Sequence, residues 1–173
     1  MVVMEEAVVE GAAASEDVNL VELMNARARS YGMLARLFRE EVDLPTLREL
    51  QKMRFPQTTG NAAADEGYHQ LYDYLKRAWD DSVTELAIDY VSTFIGHGVN
   101  GYSAAYPYES VYTSEEHLLM QDARDSAVAF YLGEELGLPA DNTTPEDHLS
   151  FEFQFMAKLI ERAGAALDAG DEA

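Results

Sequence analysis

An all-α bundle in a single domain is the fold that this sequence predicts, and three observations predict it. Apolar side chains recur every three or four residues in one stretch after another. No stretch alternates with period two as a half-buried strand would, and cap or turn residues punctuate the gaps between the periodic stretches. The 173 residues suit one domain that buries about 70% of its unfolded surface. With 47% apolar and 25% charged residues, the chain has ordinary material for a core.

Residues 1–16 are rich in Ala and Glu and lack basic residues, which predicts a disordered acidic tail ahead of a helical domain over 17–173. Asp17 then stands where a cap belongs, before a helix that carries Leu20, Leu23, Met24, Ala28, Tyr31, Leu34, Ala35 and Phe38 on one face. Pro45 suits the first turn of a short second helix reaching Met53, and Phe55-Pro56 with Thr59-Gly60-Asn61 breaks it. A third helix is predicted from Asp65 to Trp79 on the spacing of Tyr68, Leu71, Tyr72, Leu75 and Trp79. Ser82 with Glu85 forms a capping-box pattern for a fourth, carrying Val83, Leu86, Ala87, Tyr90, Val91, Phe94 and Ile95 up to Gly96 and Gly98.

Residues 96–112 make the longest irregular stretch, and its tyrosines favour an ordered loop. Thr113 with Glu116 predicts another capping box, opening a helix through Leu118, Leu119, Ala123, Ala127, Phe130 and Tyr131 that ends near Gly137. Thr144 followed by Pro145 predicts the start of the last long helix. That helix carries two apolar stripes, one of Leu149, Phe153, Met156, Ile160, Ala163 and Leu167 and one of Phe151, Phe155 and Leu159. A helix apolar on two sides belongs at the centre of a bundle.

Charge limits the partners. Thirty-two acidic against twelve basic residues give a formal charge of −20, which repels nucleic acid and anionic membrane surfaces. A cationic peptide is the complementary partner, although solubility alone also accounts for such acidity. The absence of cysteine excludes disulfides, zinc–thiolate sites and thiol catalysis. The N-terminus has acidic residues where a secretory signal has basic ones, and no run approaches the ~18 apolar residues that a membrane helix needs. A cytoplasmic protein without stable membrane insertion is expected.

Catalytic patterns are sparse. Glu66 and His69 match one Glu-x-x-His element of a bundle-type di-metal site, without a second, and His148 with Glu152 could share one ion. Ser110 lacks a nucleophile-elbow setting, and no phosphate loop is present. No enzyme activity, cofactor or metal is therefore expected, with a carboxylate–metal enzyme or a plain interaction subunit as the alternatives. Glu109, Asp147 and Glu152 read best as acceptors for a guanidinium, with Tyr108 and Tyr112 packing on its stem or face. Two plainer readings stand beside this one. Asp147 sits at the offset that completes a cap begun by Thr144, and the tyrosines could simply roof the bundle.

The ordered set Tyr90-Val91-Ser92-Thr93-Phe94, Pro107-Tyr108-Glu109-Ser110-Val111-Tyr112, Arg124, Gly137 and Pro145-Glu146-Asp147-His148-Leu149, leading to Glu152-Phe153-Gln154-Phe155-Met156, resembles the TorD/DmsD family of cytoplasmic chaperones. The likeness runs along roughly residues 18–165. It implies an all-helical chaperone that binds the twin-arginine leader peptide, and often the body, of a molybdopterin-dependent oxidoreductase precursor until cofactor insertion is complete. It also implies a peptide-binding set of Tyr108, Glu109, Ser110, Tyr112, Arg124, Pro145, Glu146, Asp147, His148 and Glu152. Thr144 and Glu146 depart from the family's acidic-Pro-Asp-Asp-His hinge, and the chain is shorter than most members. Either a monomer or a homodimer swapped through the hinge near residues 138–144 is compatible with that length.

Overall fold

The computed structural model describes residues 19–55, 58–96 and 104–170. Seven α-helices follow one another among them: α1 (Leu20–Arg39), α2 (Leu44–Lys52), α3 (Ala62–Arg77), α4 (Ser82–Tyr90), α5 (Glu109–Thr113), α6 (Asp122–Gly133) and α7 (Leu149–Ala169). The described residues contain no strand, only an isolated antiparallel bridge between Tyr108 and His148. The all-α expectation therefore holds. No helix among these residues is long and apolar enough to cross a membrane. The predicted tail at 1–16 and the cap at Asp17 lie outside the described residues.

Helix α1 starts at Asn19, whose side-chain oxygen accepts from the Val21 and Glu22 N–H groups at 3.1 and 3.2 Å. Asp43 caps α2 through Thr46 N at 2.9 Å, with Pro45 in the first turn as predicted. Asn61 caps α3 in the same way as Asn19 caps α1. The Ser82/Glu85 capping box does not form. Ser82 is instead buried, its hydroxyl accepting from Trp79 N at 3.1 Å, and Asp81 precedes the helix without a side-chain cap bond. Past Tyr90 the helix widens into one π turn, Val91–Ile95, closed by Gly96 N–H donating to Val91 O at 2.6 Å. A Cβ on Gly96 would stand 3.2 Å from that same oxygen, so glycine fits the close approach.

The two long helices α1 and α7 pack along each other and form the axis of the bundle. Both predicted stripes of α7 are used. Phe153 meets Tyr31 and Phe38 of α1 at ring distances of 5.9 and 5.7 Å, while Phe151 joins Ala127 and Tyr131 of α6 in a second cluster with Leu136, Leu138 and Phe155 around it. Phe38 also meets Phe94 of the π turn at 5.3 Å, and the Tyr90 hydroxyl donates to Phe38 O at 3.0 Å. Leu47, Leu50 and Leu75 form a separate buried cluster enclosed by Met33, Leu37, Leu71, Tyr74, Val83 and Leu86.

Two predicted helix starts are displaced. The Thr113/Glu116 capping box opens no helix. Thr113 instead ends α5, and the chain then passes through His117 and Met120 at φ 53° and 59° before α6 begins at Asp122. Left-handed φ values interrupt a helix, so Leu118 and Leu119, expected on its buried face, lie exposed on the connection. The last helix starts at Leu149 rather than at Pro145. Residues 145–148 instead close a turn of their own through His148 N–H on Pro145 O, and His148 is extended (φ −70°, ψ 129°) in its bridge to Tyr108, so the helix begins only at Leu149.

Candidate functional site

The bridge brings the two motifs together. Glu109 N–H donates to Asp147 O at 3.0 Å and Leu149 N–H donates to Pro107 O at 2.9 Å, so Tyr108 and His148 face each other with ring centroids 4.8 Å apart. Helix α5 starts just after the bridge on one side and α7 on the other. Their first turns are thus adjacent, which puts Glu109 beside Glu152.

Asp147 is fully buried (0% exposed). Its Oδ2 accepts from Ser110 N–H at 2.9 Å, reaching across 37 positions rather than completing a cap on its own helix. Oδ1 is buried without a donor. Ser110, also fully buried, accepts from Gln121 N–H through its hydroxyl at 3.1 Å and so ties down the end of the α5–α6 connection. The cap of α7 comes from His148, whose Nδ1 accepts from Ser150 N–H at 3.1 Å with the Ser150 hydroxyl 2.8 Å away. Burial, reinforced by the Arg39 guanidinium, holds the His148 imidazole below its usual range despite Asp147 nearby.

Glu152, in the first turn of α7, lies within hydrogen-bonding reach of the Glu109 carboxyl, and its Oε1 is buried without a donor. Burial first, then Glu109 and Asp147, raise its carboxyl to about 7. Tyr131 of α6 closes the far side. Its hydroxyl donates to Glu146 O at 3.0 Å, and burial beside Glu152, Asp147 and Glu109 pushes the phenol well up.

Arg124 and Glu146 are spent on each other. The guanidinium donates from Nε to Oε2 at 2.6 Å and from Nη2 to Oε1 at 2.9 Å, a two-point pair linking α6 to the segment before α7. The hydrogen bonds from Arg124 hold the Glu146 carboxyl below the ordinary range. Pro145 opens the turn closed by His148 N–H on Pro145 O at 3.1 Å. Of the sequence-predicted set, Ser110, Arg124, Pro145, Glu146, Asp147 and His148 thus build the frame. Glu109 is exposed beside Glu152, and Tyr112 is 62% exposed.

Two contributors escaped sequence reasoning. Leu118, Leu119 and Met120 form an exposed apolar edge following Tyr112, because their connection is not helical. Arg39 reaches from α1 to lie 4.6 Å over the Phe151 ring, lining a cleft of about 150 Å³ with Tyr90, Phe94, Tyr108 and His148. No sequence signal marks the first pair of leucines as exposed. The second could be found only as a basic residue at the end of an apolar stripe. Metal ligation finds no support in the geometry. Among the described residues no three His, Asp or Glu side chains converge to hold an ion, and Glu66 accepts from Gln70 at 2.7 Å.

The family model for the nitrate reductase delta subunit matches residues 60–173, which span both motifs and the helices that carry them. The chain belongs to this family. It is 28% identical over 143 residues to the chaperone protein TorD of Shewanella loihica, covering 77% of this chain and 66% of that protein. It is 36% identical over 106 residues to TorD of Photobacterium profundum, covering 60% of this chain and 46% of that one. The chain thus spans about two thirds, or less, of the length of the curated relatives it matches. In fold it is similar to a crystal structure described as that of a redox enzyme maturation protein from Archaeoglobus fulgidus, with a TM-score of 0.52 at 22% identity over 82% of this chain and 76% of that one. The TorD-type likeness read from the ordered motifs therefore holds for both family and fold.

Proposed function

We propose that this delta-subunit-family protein is a non-enzymatic chaperone for a molybdopterin-dependent oxidoreductase precursor, acting in the cytoplasm by binding the precursor's twin-arginine leader. One observation carries the reading at the level of the site. At the junction of α5 and α7, carboxylate oxygens of Asp147 and Glu152 are buried without a donor, beside the exposed carboxylate of Glu109. Buried acceptors are ordinarily satisfied, so two left without a donor in one acidic cluster call for a donor from outside the chain, a water or a ligand. A guanidinium supplies several donors in a planar fork.

The surroundings suit the rest of such a leader. Exposed Tyr112 and the exposed edge of Leu118, Leu119 and Met120 follow Glu109 in the chain and offer apolar surface, and a leader carries an apolar run after its arginines. The net charge of −20 raises the encounter rate with a cationic segment at low salt. Binding of the client's body and help with cofactor insertion belong to the same proposal.

Calorimetric titration with leader peptides of candidate molybdoenzymes, each paired with a Lys-Lys variant, tests it at two salt concentrations. Saturable binding that weakens with the Lys-Lys change and with Glu109→Gln is the expected result. Absence of binding to every leader would remove the leader-reading role and leave recognition of the mature client.

A further inference from the structure

We propose that the cleft between the π turn and the start of α7, with Arg39 and His148 on its walls, binds a carboxylate carried on a short apolar stem. None of Glu109, Asp147 and Glu152 lines this cleft, and its occupancy does not depend on leader reading.

Charge singles the cleft out. The chain carries 32 acidic against 12 basic residues, yet none of the ten described residues lining the cleft is acidic, and Arg39 among them is cationic. Arg39 belongs to no ion pair among the described residues. Glu40, next to it in the chain, pairs with Arg36 at 3.4 Å, and Asp147 gives its Oδ2 to Ser110 N–H. The Arg39 guanidinium lies 4.6 Å over the Phe151 ring and meets Gln154 Oε1 at a long 3.4 Å. A cation held over a ring by its charge keeps N–H donors for an acceptor.

His148 supplies a second donor. The residue is 6% exposed, and its Nδ1 accepts from Ser150 N–H at 3.1 Å. A neutral imidazole that accepts at Nδ1 carries its proton on Nε2. Burial, then Arg39, favour the neutral ring, and Nε2–H has no acceptor among the described residues. The imidazole stands 6.0 Å from the Phe151 ring that Arg39 covers, so both donors border one aromatic wall. An oxyanion placed there meets a guanidinium fork and an imidazole N–H together.

Size and lining choose among oxyanions. The cleft measures about 150 Å³, and a space of that size takes about six heavy atoms. A glutamate side chain or a short aliphatic acid fits, with its stem against Phe94, Ile95 and Pro107, whereas a nucleotide is too large. A phosphate would turn its remaining oxygens against those apolar walls.

The test uses the full-length chain labelled with nitrogen-15 at histidine and observed by NMR at about pH 7.5, where a ring held below its usual 6.5 is neutral. The His148 signal is assigned by its loss in His148→Asn, which keeps a cap for α7. Butyrate and the capped peptide acetyl-Ala-Glu-Ala-amide are titrated separately at constant ionic strength. Expected are a proton on Nε2 in the free protein and a saturable shift of the His148 ring with a carboxylate. Arg39→Gln should weaken binding about tenfold, while Arg29→Gln, at an exposed cation of α1 outside the cleft, should leave it unchanged. Saturation by the peptide and not by its Gln counterpart identifies a protein side chain as the source, and saturation by butyrate alone identifies a free acid. No saturable shift with either carboxylate overturns the site, as does a proton on Nδ1 or undiminished binding by Arg39→Gln. Inorganic phosphate or the Gln peptide binding as tightly as butyrate overturns the assignment to a carboxylate.

Discussion

Tyr108 and His148 meet edge to face, their rings 4.8 Å apart and inclined at 85°, across the only bridge that joins the two motif segments among the described residues. This contact makes one unit of residues that lie forty positions apart. The imidazole serves both partners, presenting an edge or face to the tyrosine and Nδ1 to the first turn of α7. The neutral form is therefore the one that the fold uses.

Titration of His148 should be visible in stability. Its folded-state value lies below the ordinary 6.5, so the stability it contributes is complete above that value and is lost as pH falls from 6.5 through the lowered one. Asparagine is a good N-cap and does not titrate. His148→Asn should thus melt nearer to the wild type at pH 5.5 than at pH 7.5. Thermal melts of both proteins check this, and a difference independent of pH would contradict it.

Glu152 acts with the opposite sign. A carboxyl raised to about 7 from 4.5 keeps its proton in the folded state after the unfolded chain has lost it, so its contribution declines as pH rises from 4.5 to 7 and stays low above. Glu152→Gln removes that decline. The variant should gain melting temperature over the wild type at pH 8 and converge with it near pH 4.5.

Asp147→Ala removes the acceptor of a buried backbone N–H at Ser110. Leaving that donor unsatisfied costs about 1–3 kcal/mol, and the start of α5 should loosen with it. Asp147→Asn keeps an acceptor oxygen and should cost less. Urea denaturation of the two variants measures the difference, and equal losses would argue against the Ser110 contact as the cause.

Leu47 is fully buried in the cluster with Leu50 and Leu75, whose packed neighbours include no residue of α5 or α7. Leu47→Ala should cost about 2–5 kcal/mol by the loss of burial and the cavity left behind. Leader affinity measured below the melting transition should stay unchanged. A loss of affinity in the folded variant would couple this cluster to the α5–α7 junction.

Gly164 lies buried in α7 opposite α1, and a Cβ there would stand 3.4 Å from Met24 Cβ, an ordinary contact distance. Gly164→Ala should therefore stabilise by about 0.5–1 kcal/mol through helix propensity. Gly164→Leu should destabilise, because the larger chain must push α1 and α7 apart. Denaturation midpoints of the pair decide it.

The helices and their breaks were legible because they depend on neighbours a few residues away. Pro45 and the apolar spacing located α2, and the double stripe of α7 announced contacts on two sides, met by α1 and α6. Local cap signals failed where a longer-range partner competed. The Thr144-Pro145 start lost to the pairing of residues 107–109 with 147–149, and Ser82 used its hydroxyl on Trp79 rather than on its own helix. A capping box is worth on the order of 1 kcal/mol, which a buried tertiary hydrogen-bond network can exceed.

The site divides along the same line. Sequence alone determined which residue types are available, the acidic excess, and the ordered motifs that mark the family. Tertiary structure alone decided that Asp147 is buried under Ser110, that Arg124 is matched to Glu146, and that Glu109 stands against Glu152. Those assignments depend on which carboxylate meets a donor and which meets another carboxylate. That choice is made by the bridge between two segments far apart in the chain, where no local periodicity records it.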